Sequence, residues 1–286
     1  MRTPTVFQVP LPAGRRVTVR TWDGDGDPLV LLHGLLDSSE GWADLVRRTE
    51  RPCLAIDLPG FGGSSLPFRP HLDYYADDVA LALRQLGVER CALVGHSLGG
   101  GVAAAVAERT RSVEALVLLA PVGFGRIGVA ELLTRPVVVD LATLALPLAL
   151  VNPLTVTAAY STFVAHRRLP DRALLGRLRR RATRAPLGVR AATLAIAEAG
   201  RSERRRIDFH GPVAALWGAH DALVPTDHAA GLRRALPHAH VEFWPGMGHH
   251  PQHERPAALA EFVERWAAPA QAGDGYSYRV SAARIR

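Results

Sequence analysis

Three polar residues of this 286-residue chain are of the types that together perform acyl chemistry: Ser97, Asp221 and His249. Ser97 lies in Gly95-His96-Ser97-Leu98-Gly99, a serine between two glycines where an apolar run meets an Ala-rich one. That is the nucleophile-elbow pattern. Side chains at the glycine positions of so sharp a turn would strike the neighbouring strand and helix. The turn lifts the serine hydroxyl above the sheet, and the new helix aims its first amides at the same spot. An ordinary Gly-rich turn with a capping serine has the same composition, so the pattern needs an acid and a base from elsewhere. His249 would take the Ser97 proton and return it to a leaving group, while Asp221 would hold the imidazole tautomer and stabilise the imidazolium. Singly, Asp221 reads as well as a helix cap and His249 as a loop histidine. Their chain order behind the elbow, nucleophile then acid then base, is what joins them.

These residues need elements to hold them. Phe7 to Trp22 alternates in two short runs about Ala13-Gly14, which predicts an antiparallel edge hairpin. Mostly apolar runs at Leu29–Leu32, Leu54–Ile56, Cys91–Val94, Val113–Leu119, Val213–Trp217 and Val241–Trp244, with Glu114 and Glu242 their only charges, read as strands. Helices are expected near Ser38–Glu40 with Trp42 inward, over Tyr74–Leu86 with a stop at Gly87, after the elbow, near Asp227–Leu236 and over Pro256–Ala267. Strands alternating with helices predict a mostly parallel α/β sheet covered on both faces. Ser97, Asp221 and His249 each follow such a strand, so they meet at the C-terminal sheet edge where open α/β sheets bind ligands. From Val122 to about Arg206 the rhythm breaks into a Pro-interrupted segment of helical composition. The expected organisation is therefore a core of 1–121 and 207–268, a helical lid or cap over 122–206, and a loosely ordered tail over 269–286.

Apolar residues make up 48% of the chain, enough for a substantial core, and the formal charge is +7 with no lysine. All basic residues being arginine reads as compositional bias. Nucleic-acid or anionic-membrane binding is the alternative, but no nucleic-acid reading motif accompanies the charge, so no nucleic-acid partner is expected. The arginine runs at 177–184 and 201–206 read as solvated helix faces, with phosphate or acidic-substrate binding as the other reading. Cys53 and Cys91 each open an apolar run and read as buried free thiols, which suits a reducing, cytoplasmic location. The N-terminus lacks the pattern of a signal peptide. Pro136–Val151, the greasiest stretch, is too short to span a bilayer and is broken by Asp140 and Pro147. No stable membrane insertion is expected.

His33-Gly34, Asp57-Leu58-Pro59-Gly60, the elbow, Gly218-Ala219-His220-Asp221 and Gly248-His249 with Glu254 and Pro256 behind it together resemble the α/β-hydrolase superfamily. The resemblance implies an eight-stranded, mostly parallel sheet whose second strand is antiparallel, and a helical lid over the insertion. It implies an oxyanion hole made by the backbone amides of Leu35 and Leu98, which fits amides facing each other across a glycine turn and a helix start. Its strand order puts the Leu29 strand between those of Cys53 and Cys91. Two strand spacings, about 9 to 10 Å, exceed the roughly 7 Å Cα limit for a disulfide.

The expected activity is hydrolysis of a carboxylic ester or thioester through an acyl-serine intermediate, on a small, apolar acyl substrate. Attack by an alcohol or amine in place of water would make the chain an acyltransferase. Serine at the elbow argues against haloalkane dehalogenase and epoxide hydrolase relatives, which attack through a carboxylate. The leucines after His33-Gly34 differ from the multi-glycine run of hormone-sensitive-lipase relatives, and Asp37-Ser38-Ser39 lacks the Gly-Pro-Gly that C–C bond hydrolases often carry, although C–C bond hydrolysis on the same triad stays as an alternative. A non-catalytic binder on the same scaffold is expected to have lost a triad member, and none is missing here. His249, His250 and His253 crowd one loop without partner carboxylates or cysteines at metal-ligand spacing, so no metal and no cofactor are expected. His33, Gly34, Val122, Leu141, Leu144, Leu148 and Val224 are the expected pocket residues. The aliphatic run that holds Leu141, Leu144 and Leu148 reads equally as packing of the lid on the core. Nothing in the sequence bears on oligomeric state. In the His249–His253 loop, His250 should point away from Ser97, and His253 should sit at the surface or cap a helix. Accordingly His249→Ala is expected to be nearly inactive, while His250→Ala and His253→Ala keep most of their turnover on a short-chain aryl ester. The reverse pattern would put this loop out of register by one residue.

Overall fold

The computed structural model describes residues 2–128, 135–149, 152–165, 172–201 and 206–267. The tail expected over 269–286 lies outside them. Eight strands form one sheet: β1 (Thr5–Pro10), β2 (Arg16–Trp22), β3 (Leu29–Leu32), β4 (Cys53–Ile56), β5 (Cys91–His96), β6 (Val113–Leu119), β7 (Val213–Gly218) and β8 (His240–Trp244). Their spatial order is β1-β2-β4-β3-β5-β6-β7-β8. β2 pairs antiparallel with both β1 and β4, and every other pairing is parallel. Five central strands are buried along their whole length or nearly so, which is why they read as unbroken apolar runs rather than alternating ones.

Within those runs successive side chains still take opposite faces. Leu29, Leu31, Ala92 and Val94 join Trp42, the short helix α1 (Ala43–Val46) and the closing helix Pro256–Ala267 on one side. Val30, Leu32 and Leu93 join the helices α2 (Leu72–Gln85) and α3 (Leu98–Ala107) on the other. The α2 stripe of Leu72, Tyr75, Ala76, Val79, Ala82 and Leu83 is buried at helical spacing. Asp78 lies in the same buried stripe and is met by the Arg15 guanidinium at 2.5 Å. Gly87, at φ 66, ends the helix as the left-handed residue after its cap.

Between β6 and β7 the chain is helical among the described residues: Pro136–Ala149, Pro153–Ala159, a π-helical turn at Tyr160–Val164, Arg172–Arg184 and Pro186–Ala199. The last of these meets the core at Gly188, where an added Cβ would lie 1.9 Å from the Gly60 carbonyl oxygen. That approach is possible only without side chains, and it seats the insertion on the turn after β4. Among the described residues no helix is long and apolar enough to cross a membrane.

Cys53 opens β4 and Cys91 opens β5, with β3 between them, and both are buried free thiols. Burial pushes both thiols up to about 12, so neither is a thiolate near neutral pH. The native protein should therefore react very slowly with a disulfide reagent at pH 8 and release two equivalents of thiol on denaturation without reductant. Recovery of fewer than two would contradict the strand order.

Candidate active site

The site begins where β5 ends. Ser97 has φ 54 and ψ −114, a region a non-glycine residue enters only at a cost of about 1–3 kcal/mol. Its neighbours make the turn possible. A Cβ on Gly95 would fall 2.3 Å from the Gly99 carbonyl oxygen, and one on Gly99 would fall 2.3 Å from that of Leu32. The turn is fastened by the Ser97 amide, which donates to Leu119 O at 2.8 Å, and by the Val122 amide, which donates to Ser97 O at 3.1 Å. Gly34, at the end of β3, comes against the same residue: a Cβ there would lie 3.1 Å from Ser97 Cβ. Among the described residues neither the Leu35 nor the Leu98 amide has a protein acceptor.

Asp221 and His249 come to this edge from the loops after β7 and β8. His249 Nδ1 and Asp221 Oδ2 are 2.7 Å apart, and both side chains are buried. The other Asp221 oxygen accepts the amides of Leu223 and Val224, each at 2.9 Å. An aspartate held this way has both oxygens committed, so the imidazole it meets is fixed in orientation with Nδ1 protonated and Nε2 left for another partner. His249 is tied back to the elbow through His96, the residue before Ser97. His96 Nε2 lies 2.8 Å from His249 O, and the two rings are 4.8 Å apart.

Comparison with known proteins agrees with this arrangement. A family model described as alpha/beta hydrolase fold matches residues 27–256. The chain belongs to that family. An uncharacterized protein of Mycobacterium tuberculosis is 31% identical over 274 residues, covering 85% of this chain and 76% of its own. An sn-1-specific diacylglycerol lipase of Mus musculus is 29% identical over 262 residues, covering 84% of this chain and 81% of its own. Among solved structures, the epoxide hydrolase CorEH without ligand superposes with a TM-score of 0.77, covering 94% of this chain and all of its own, at 21% identity. At that identity the likeness is one of fold.

In this α/β-hydrolase the histidine loop rests on groups whose part sequence reasoning missed. A carbonyl oxygen only accepts, so His96 carries its proton on Nε2, and its bare Nδ1 faces the Gln252 amide nitrogen at 3.1 Å. Burial, and then the nearby His249, hold the His96 pKa well below 6.5, which agrees with this neutral tautomer. Glu254 accepts the Gly248 amide at 2.9 Å and the His250 amide at 3.1 Å, bracketing His249 from both sides. In the sequence Glu254 stood only among the residues that carry the family resemblance, with no role attached to it. Nothing in the sequence pointed to His96 or Gln252. The insertion also reaches the loop, since Val164 O accepts the His249 amide at 2.5 Å and the Tyr160 ring lies 6.1 Å from that of His250.

The other expected residues lie as follows. His250 is buried, with its ring 4.8 Å from that of His96, the imidazole that His249 also meets. His253 is half-buried, with its ring edge on His250. His33 is fully buried and serves the backbone rather than a pocket: Nε2 accepts the Leu58 amide at 2.9 Å and Nδ1 faces Gly34 O at 2.8 Å. It thereby clamps the turn after β3 to the one after β4. Val122 and Val224 are buried against the elbow helix and the Asp221 loop. Leu141 and Leu144 are exposed, because they lie on the helix face opposite buried Val139. The Leu148 side chain lies outside the described residues.

The buried neutral His96 has a pH signature. Its unfolded-state pKa of about 6.5 exceeds the folded one, so below about pH 6.5 the unfolded chain holds a proton that the native site refuses. Its share of stability is present above that pH and is lost as pH falls below it. Urea unfolding between pH 6.5 and 5 should show wild type losing stability more steeply than His96→Asn, by up to about 1.4 kcal/mol per pH unit. Parallel slopes would mean that His96 titrates alike in both states.

Proposed function

We propose that this chain is a serine hydrolase that cleaves a carboxylic ester or thioester of an apolar acyl group through an acyl-enzyme. The observation that carries the reading is the strained Ser97 turn, whose preceding residue His96 packs on the Asp221-bound imidazole of His249. Strain of this kind at a single polar residue, held by glycines on both sides, suits a hydroxyl that must be presented rather than packed. Likeness over most of both chains to a diacylglycerol lipase supports an ester of a fatty acyl group as the substrate class. Ser97 at the elbow does not supply the carboxylate that attacks in epoxide hydrolases.

In this reading Ser97 Oγ attacks the acyl carbonyl carbon and His249 Nε2 takes the hydroxyl proton. Asp221 keeps Nδ1–H hydrogen-bonded and stabilises the imidazolium. The carbonyl oxygen becomes an oxyanion in reach of the Leu35 and Leu98 amides, donors of a kind contributing about 3 kcal/mol each. Collapse expels the alcohol or thiol, which leaves with the proton from His249. A water then gives its proton to His249 and attacks the acyl carbon, which frees the acid and restores Ser97. Residues 122–206 act as the lid, and the contacts of Val164 and Tyr160 with the histidine loop support that role.

A fluorophosphonate probe should label wild type stoichiometrically at Ser97 and leave Ser97→Ala unlabelled. Turnover of a short-chain aryl ester should fall by about 10⁴-fold or more in Ser97→Ala and by about 10⁴-fold in Asp221→Asn, where the wrong tautomer is held. Near-wild-type turnover by Ser97→Ala would remove the mechanism.

A further inference from the structure

The charge of this chain is divided unevenly. Residues 122–206 contain fifteen arginines and five acidic residues, whereas the rest contains nineteen arginines and twenty-two acidic residues. The insertion is therefore +10 and everything else −3, so the positive charge of the whole belongs to the segment lying over the proposed site. Solvated helix faces would account for arginines alone, but the same segment exposes large aliphatic side chains. On the first helix of the insertion, Val137, Leu141 and Leu144 are 70, 62 and 71% exposed, and on the next Leu154 is 79% exposed. The first three are spaced i, i+4 and i+7, one stripe along one helix face. Val139, off that stripe, is buried. Asp140, the one acid on this helix, is bonded to Arg190 at 2.5 Å. Exposed arginines, among them Arg135, Arg180 and Arg184, stand on the same insertion.

We infer that this face of the insertion docks on an anionic phospholipid surface. Aliphatic side chains and arginines exposed on one segment are what an interfacial element presents, the leucines entering the acyl boundary and the guanidiniums meeting lipid phosphates. Each arginine near an anionic surface strengthens binding by about fivefold, while the apolar stripe adds affinity that salt does not screen. A second copy of this chain would bring +10 against +10 at the contact, which opposes self-association there. A nucleic acid would match the charge but leave the aliphatic stripe in water. The surface reading rests on the charge and exposure of the insertion and does not require the proposed reaction.

Co-sedimentation of the full chain with vesicles tests it. Binding should be strong to equal parts phosphatidylglycerol and phosphatidylcholine, weak to phosphatidylcholine alone, and reduced but not abolished by high salt. Leu141→Ser/Leu144→Ser should lower partitioning about tenfold, and Arg180→Gln/Arg184→Gln about 25-fold. Because these positions are exposed, turnover of a water-soluble ester and thermal unfolding of both variants should stay near wild type. Ser97→Ala should bind as wild type does, so a failed reaction and a failed surface give different results. Equal binding to both vesicle types, no binding to either, full binding by the variants, or a dimer in sedimentation that Leu141→Ser/Leu144→Ser dissolves would each overturn the inference.

Discussion

The structure depends most on one unfavourable turn. Ser97 occupies a backbone conformation that costs about 1–3 kcal/mol, and only the surrounding packing keeps it there. Gly95 and Gly99 let β5, β3 and α3 approach to distances that no Cβ would permit. Backbone hydrogen bonds then fix the turn to Leu119 on one side and Val122 on the other. The buried parallel strands are what make that fixation rigid, since their side chains fill both faces of the sheet and leave no room for the turn to relax.

A second constraint follows from burying the histidine loop beside that turn. Each polar group taken from water needs a partner, because an unmet buried donor or acceptor costs about 1–3 kcal/mol. Asp221 meets this with three acceptor contacts, Glu254 by bracketing two amides, and His96 by joining a carbonyl to the Gln252 amide. A protonated His96 would have a donor facing a donor at Gln252, so the tautomer and the loop position are one condition rather than two. His249 is thus held by its carboxylate partner, by the amides on either side of it and by the residue before Ser97.

How much of this was legible in the sequence follows from the range of the interactions. The strands were readable because burial on both faces leaves an unbroken apolar run, and the second strand was expected antiparallel by resemblance, as the pairing of β2 with β4 shows it to be. Ser97, Asp221 and His249 were readable as types after strands. The web behind them was not, since His96 meets Gln252 across 156 positions and His249 across 153. The orientation of the first helix of the insertion was equally hidden. It is apolar on most of its circumference, so periodicity does not say whether Val139 or Leu144 faces inward. Leu141 and Leu144 stand exposed on that helix, and His33 illustrates how a histidine after a strand can serve a lining or a clamp with the same local sequence.

The contact between Val164 and His249 joins these scales. The His249 amide lies in a buried loop, and its acceptor is a carbonyl at the end of a π-helical turn. A π-turn carries one more residue than an α-turn for each hydrogen bond it closes, and its end is where carbonyls are left over for outside partners. If the insertion moved off the core, that amide would lose its acceptor at a cost of about 1–3 kcal/mol unless water replaced it. Tyr160 and His250 would part at the same time. The segment carrying the net positive charge thus meets the core where Gly188 lies against Gly60, and reaches the histidine loop near its middle through one hydrogen bond.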